Sequence, residues 1–417
     1  MPEIAGFRAL TYDPSRVELS DVVTPPYDVI DPQQRSQLAD RDRHNFVHVD
    51  LPEPGPGEDR YHAAAERLAR WRAEGILRHD SSSAVYRYHQ VFRDQERGIT
   101  VTRKGVLAAV SLSPWREGVI RPHETTFAAP REDRARLLDA TRVHLSPVFA
   151  MYDGAGAEVE EMFAECTPTP DLDATTADGT RHQVWRIAAP HVIGRLSQFM
   201  IRKRAYVLDG HHRYETMAAF AERERGRGAV GPQRGPMFLV AIDDPGLVIL
   251  PTHRIVAGIP GLTRESFLGE IQRHAEIRKL TGGARDAARL QHALHGTRDV
   301  AMFAAVFCQD PDAYVLSLRS REFQSRLDSE ISVLHDVVLG NVLGIHADAQ
   351  KTNLRHVSNT QAALDQVAAG NGQLGLIVRP PELAQVVQLA DLGRVMPQKS
   401  TYFYPKLASG LVMMPVE

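Results

Sequence analysis

The chain has 417 residues, of which 43% are hydrophobic and 24% charged, with a formal net charge of −3. That length suits two domains, and that composition suits a full apolar core. The slightly acidic balance offers no basic field for nucleic acid and no polybasic face for a membrane, so neither partner is expected.

The N-terminal residues lack a basic stretch followed by an apolar one, so no secretory signal is expected. No run approaches the roughly 18 apolar residues that suggest a membrane span. The two cysteines, Cys166 and Cys308, are too few for a disulfide framework. A reducing, cytoplasmic setting is the simpler expectation.

In chain order, the first 60 residues are rich in proline and polar turns, from Thr24-Pro-Pro-Tyr-Asp28 to Leu51-Pro-Glu-Pro-Gly-Pro-Gly57. Between them Phe46-Val-His-Val-Asp50 alternates like a short strand. Residues 59–75 read as a helix, with Ala63, Leu68 and Trp71 near helical spacing and Gly75 as its stop. Residues 84–89 and 104–112 read as paired strands. A helix is expected over 131–145, ending before Pro147, and then a strand at Val148-Phe-Ala-Met-Tyr152. Ala205-Tyr-Val-Leu208 is a further strand, which runs into a turn at Gly210 and a helix starting near His212. A glycine-rich loop (226–235) precedes a buried strand at 237–242. Beyond about 262, helices are expected at 264–275, 284–294, 323–341 and 381–389, and strands at 299–306, 312–318 and 373–379. The expected division is 1–260, a core with an N-terminal elaboration, and 261–417, a C-terminal α/β region packing on it.

The segment that carries most chemistry is Asp209-Gly-His-His-Arg-Tyr214. An apolar strand, a glycine and a polar helix start make an anion site, because the first helical N–H groups are unpaired and carry partial positive charge. Gly210, His211, His212 and Arg213 are the candidate phosphate ligands, Arg213 through its bidentate guanidinium. Asp209 is a candidate Mg²⁺ ligand or orienting carboxylate. Adjacent histidines point about 100° apart on a helix and cannot easily chelate one ion, yet a metal role remains an alternative. So does a plain helix start with exposed polar residues.

In Val119-Ile-Arg-Pro-His-Glu-Thr-Thr126, Glu124 beside His123 is a candidate general base, since a carboxylate in a closed cleft rises in pKa. A solvated loop accounts for the same residues. Tyr27 and Asp28 are presented by a stiff Pro-Pro connector. His253 and Arg254 follow an apolar strand end. These four are candidate substrate contacts. Nearby Arg131, Arg134 and Arg142 read as mostly surface charge, although Arg134 could reach a phosphate. In the C-terminal cluster Lys399-Ser-Thr-Tyr-Phe-Tyr-Pro-Lys406, the lysines are surface charge or phosphate ligands. A triphosphate brings up to about four negative charges, which calls for more cations than one arginine. The cluster is therefore expected to fold back on the first domain and bring Lys399 or Lys406 to the site. No Walker loop, no Gly-x-Gly-x-x-Gly and no Gly-x-Ser-x-Gly elbow occurs at the required places, which removes the commonest nucleotide and hydrolase scaffolds.

Five segments together, Pro25-Pro-Tyr-Asp-Val-Ile30, His123-Glu-Thr125, Asp209 to Tyr214, Pro251-Thr-His-Arg254 and Lys399 to Lys406, resemble the bacterial family called domain of unknown function 1015. The likeness runs from about Phe7 to about Val412. The family name supplies no activity. Over about 100–225 the Asp-Gly-His-His-Arg turn also resembles the phosphate-binding motif of the ParB and sulfiredoxin superfamily. Free serine kinases belong to that superfamily. They carry a similar turn and an upstream His-Glu whose carboxylate acts as base on the serine hydroxyl. Here His123-Glu124 lies ahead of Asp209 in the same order, with a longer spacing that implies an insertion.

The resemblance implies an α+β fold with a ParB/sulfiredoxin-like mixed core and elaborations at both ends. It implies a small-molecule kinase that uses ATP or ADP with Mg²⁺ on a metabolite hydroxyl, free serine being the best single guess. Glu124 would be the base, with His123 beside it. Asp209 would be the metal or orienting carboxylate, and His211, His212 and Arg213 the phosphate cradle. The alternatives are a metal-dependent hydrolase or lyase built on the same histidines with Asp209 and His123, and a non-enzymatic nucleotide-binding switch. The expected partner is a small-molecule substrate, with a homodimer left open.

Overall fold

The computed structural model describes residues 2–95, 97–126, 128–165, 168–228, 233–296, 298–319 and 329–416. The chain is α+β and divides into two units. The first comprises Met1–Pro122, Thr126–Val248 and Pro405–Glu417. The second comprises His123–Thr125 and Ile249–Tyr404. Where the sequence suggested one cut at 260, each unit is discontinuous, because strand pairing rather than chain order decides membership.

The first unit is built on a nine-stranded mixed sheet among the described residues. Its order begins with Ile120–Arg121, Ala205–Asp209, Val148–Tyr152 and Arg234–Ala241, and continues through Ile99–Ser111, Val85–Asp94, Arg181–Ile187 and Leu172–Thr175. Ile4–Ala5 adds to Ile99–Ser111 off this path. Arg234–Ala241 runs parallel to Val148–Tyr152, and Ala205–Asp209 parallel to Ile120–Arg121; the other pairs are antiparallel. All five residues of Val148–Tyr152 and of Ala205–Asp209 are buried. Both strands therefore read as continuous apolar runs rather than alternations.

The second unit is a six-stranded antiparallel sheet in the order Ala275–Leu280, Ala313–Leu318, Met302–Phe307, Leu374–Val378, His253–Val256, Leu354–Val357. Successive side chains point to opposite faces. Phe303, Ala305 and Phe307 thus pack with Phe267, Ile271 and Leu334, while Ala304 and Val306 pack with Leu290, Leu294 and Leu364. Helices cover both faces.

Most expected elements recur: the helix Arg60–Ala73, the antiparallel pair Val85–Asp94 and Ile99–Ser111, and the helix Leu383–Asp391. The expected strand at 46–50 is instead a helical turn, Val47–Asp50. The Asn45 side chain accepts the Val47 N–H and Val49 N–H bonds Phe46 O, so local bonds replace a ladder. The helix expected at 131–145 stops at Thr141, where Arg142 takes φ 54°, and Val143–His144 pairs with Met414–Pro415. Of the helix expected at 323–341, residues 323–328 lie outside the described residues. The remainder is an α-turn Glu330–Val333 continued by a π-helix Leu334–Val342. Among the described residues no helix is long and apolar enough to cross a membrane.

Candidate functional site

In the first unit the strand Ala205–Asp209 ends in Gly210, and the helix His211–Gly226 begins at once. Gly210 has φ 87°, which a side chain rarely adopts, and an added Cβ would lie 2.9 Å from the Arg213 guanidinium. Glycine is thus required by both backbone and packing. As N-cap it has no side chain to bond the first helical N–H groups.

Asp209 closes the strand and is held by two cations. Its Oδ2 accepts from Arg213 Nη2 at 2.6 Å, and its Oδ1 accepts from Lys406 Nζ. Arg213 Nη1 donates to the Pro147 carbonyl at 2.5 Å and to Ser146 Oγ at 3.3 Å. Its fork therefore faces protein acceptors in this arrangement, where the sequence suggested direct phosphate ligation. His211 is buried and His212 half-buried on the next position.

Lys406 is placed by a C-terminal strap. Gln90 Nε2 donates to the Lys406 carbonyl at 2.9 Å, and Arg103 donates to the Pro405 carbonyl. Arg103 is fully buried, bonds Gln90 Oε1 and lies 4.4 Å over the Phe149 ring. Burial pulls its pKa down to about 10, against the pull of Tyr88, Asp244 and Asp209. It remains a cation at neutral pH.

Beside this lies a second buried charge cluster of the same unit. Arg134 donates to Asp50 Oδ1 at 2.7 Å and to Asp133 Oδ2 at 2.6 Å, and sits 4.1 Å over the Tyr27 ring. It is a core ion-pair residue, not the surface charge the sequence suggested. Burial raises the Tyr27 phenol well above its ordinary pKa, an effect that Arg134 and Arg213 oppose. Asp28 is exposed. A cavity of about 50 Å³ is lined by Asp50, Arg134, His144, Ser146, Arg213 and Thr216.

In the second unit Glu124 Oε1 accepts from the Thr401 backbone N–H at 2.9 Å and pairs with Thr401 Oγ1 at 3.0 Å. His123 Nε2 lies 2.8 Å from the same hydroxyl. One hydroxyl proton cannot serve both, so a Thr401 that donates to Glu124 accepts from His123. The carboxylate is thereby fixed in direction. His253 does not face outward as a substrate contact. It is fully buried, its Nδ1 accepts the Val378 N–H at 3.2 Å and its Nε2 bonds Thr360 Oγ1 at 3.0 Å. Arg254 is also fully buried, and Lys399 is exposed.

Among the described residues no group of three or more His, Cys, Asp or Glu side chains gathers to hold a metal ion. Asp209 does not fit the Mg²⁺ expected at it, because both its oxygens already face cations, whereas Mg²⁺ needs free carboxylate oxygen. The sequence reading passed over Asp50, Gln90, Arg103, His335 and His356. For Arg103 a signal existed: it shares a strand face with buried Val101, and a charged residue on an apolar face is informative.

The fold and this site define an α+β protein with a cation-rich strand–glycine–helix junction. The chain belongs to the family described as Protein of unknown function (DUF1015), whose model matches residues 4–336. Comparison with curated proteins gives no match. Among solved structures, a free serine kinase in complex with AMP is 14% identical over 72% of this chain and 89% of that one, with a TM-score of 0.36. A variant of free serine kinase in complex with ADP gives 14%, 72%, 90% and 0.37. A conserved hypothetical protein from Pyrococcus furiosus gives 14%, 74%, 95% and 0.36. Likenesses at this level carry no functional weight.

Proposed function

We propose that this protein is a phosphotransferase that moves a phosphoryl group from ATP or ADP to a hydroxyl of a small metabolite. The observation that supports it is the charge at the start of the helix His211–Gly226. Arg213 and Lys406 converge on the single carboxylate Asp209, with the buried Arg103 close enough to feel its charge. Two cations that meet one carboxylate beside a helix start whose N-cap has no side chain suit a polyanion such as a phosphate chain.

Phosphoryl transfer depends on positioning and charge neutralisation more than on covalent chemistry. In this reading Lys406 and the first N–H groups of the helix hold the phosphates, and Asp209 orients the two cations. The acceptor's hydroxyl oxygen bonds phosphorus as the bond to the leaving nucleotide breaks, and a carboxylate base takes its proton; Glu124, whose direction Thr401 fixes, is the candidate for that role. No step is assigned to a metal ion.

The test is nucleotide titration by calorimetry together with ³¹P NMR of transfer to a hydroxyl panel. Lys406→Met is expected to weaken nucleotide binding at least about tenfold, or 1.4 kcal/mol. Glu124→Gln is expected to lower transfer by about 10²–10⁴-fold while nucleotide affinity stays within error. A wild-type chain that binds neither ATP nor ADP sinks the proposal.

A further inference from the structure

The first unit holds a second, larger cavity of about 420 Å³, and neither Asp209 nor Lys406 lines it. That volume lies within the roughly 300–1,000 Å³ of small-molecule sites. Three pieces of the unit enclose it. The end of the strand Ile99–Ser111 gives Ala109, with Leu112 just beyond, and the helix His211–Gly226 gives Met217, Phe220 and Ala221. Met414–Pro415, paired with Val143–His144, gives the third wall. Phe7, Leu112, Met217 and Phe220 are themselves buried, so the walls are firm and mostly apolar.

The polar part of the lining is one-sided in charge. It contains Arg8 and Arg234 and no Asp or Glu. Arg8 follows the strand Ile4–Ala5, and Arg234 opens the strand Arg234–Ala241; the two strands flank Ile99–Ser111 on opposite sides. Among the described residues neither arginine forms an ion pair. Arg8 Nε donates to the Asp80 carbonyl at 2.9 Å, and the half-buried Arg234 makes no side-chain hydrogen bond. The Arg234 Nε is buried without an acceptor. A buried donor left unmet is costly and calls for an explanation. The groups that match a guanidinium fork are carboxylate and phosphate.

We infer that this cavity is a binding site for an amphiphilic organic anion, its apolar body against Phe7, Leu112, Met217 and Phe220 and its carboxylate or phosphate-ester head on Arg234 and Arg8. A cationic ligand is repelled by the two guanidinium groups. A neutral apolar one fills the walls and leaves the Arg234 donor unmet. A bare anion meets the donor and leaves the apolar walls in water. The site is independent of the phosphotransferase reading, since it uses neither Asp209 nor Lys406.

The experiment is calorimetric titration of the full chain, without nucleotide, with phenylacetate, phenyl phosphate, 2-phenylethanol, 2-phenylethylamine and acetate. Phenylacetate or phenyl phosphate is expected to bind at least about tenfold more tightly than each of the last three. The tighter of the two names the head group. With ¹³C-methyl methionine, the Met217 and Met414 signals, out of ten methionines, are expected to shift on binding. Arg234→Gln removes a guanidinium that has no partner to lose. It is expected to fold with an unchanged or higher melting temperature and to weaken the anion at least about tenfold. Arg8→Gln, at an exposed position, is expected to weaken it as well. 2-Phenylethanol binding as tightly as both anions overturns the charge assignment. Folded Arg234→Gln and Arg8→Gln that both keep wild-type affinity overturn the site, as does binding that leaves the Met217 and Met414 signals in place. A wild-type chain that binds neither aromatic anion at millimolar concentration also overturns it.

Discussion

At the scale of single residues, Asp209 and Arg213 form a buried pair one helical turn apart, joined across Gly210. Their spacing was readable, because residues four apart near a helix start share a face. Lys406 on the same carboxylate was not readable as a contact, since 197 positions separate it from Asp209 and only the fold closes that distance. The expectation that the C-terminal cluster would contribute a lysine rested on charge alone, and charge does not say which lysine. Arg213→Ala removes one of the cations held by the buried Asp209 and strands the Pro147 carbonyl. Removing one member of a buried pair costs about 3–5 kcal/mol. A urea midpoint shift equivalent to about 3 kcal/mol is expected for Arg213→Ala; a variant as stable as wild type would mean that Arg213 is not a structural partner of Asp209.

At the scale of elements, long or strongly apolar segments were legible and short ones were not. The helix Arg60–Ala73 and the strands Val148–Tyr152 and Ala205–Asp209 follow directly from their apolar spacing. Phe46-Val-His-Val-Asp50 alternates as a strand does, yet over five residues one helical turn places the same apolar side chains inward. No periodicity marks the C-terminal strap, because backbone carbonyls bonded to Gln90 and Arg103 place it. The strap turns at Gly410, where φ is 82° and an added Cβ would stand 2.5 Å from Phe46 Cγ. Gly410→Val is therefore expected to push the strap outward and cost about 1–3 kcal/mol. It should lower nucleotide affinity as Lys406→Met does, although Lys406 is intact. Calorimetry on the folded variant checks this: unchanged affinity would detach the strap's position from Lys406's role.

At the scale of the whole molecule, the α+β class was legible through the resemblance that the motifs carry rather than through composition. The interleaving of the units was not, since reading along a chain favours a single cut. Each unit also buries histidines with depressed pKa. Burial takes His144 and His182 of the first unit to about 4, and His253 and His335 of the second to about 3. Between those values and the unfolded value near 6.5, the unfolded chain binds protons that the folded chain refuses. Stability is therefore full above about pH 6.5 and falls as pH drops toward 4, by up to about 1.4 kcal/mol per pH unit for each such histidine. Urea unfolding from pH 7.5 to 4.5 is expected to show this slope, with His182→Gln reducing it by about one proton. A stability that is flat or rises across that interval contradicts the burial of these rings as neutral groups.

The return of Pro405–Glu417 to the first unit bears on how the protein is made. A ribosome delivers the chain from its N-terminus, and domains ordinarily complete in that order. Here every residue of the second unit has been synthesised before the strap that finishes the first. The strap brings buried Leu407, Leu411, Val412 and Met413, and Lys406 with them. The junction at Asp209 thus gains Lys406 only after every residue of the second unit has been synthesised.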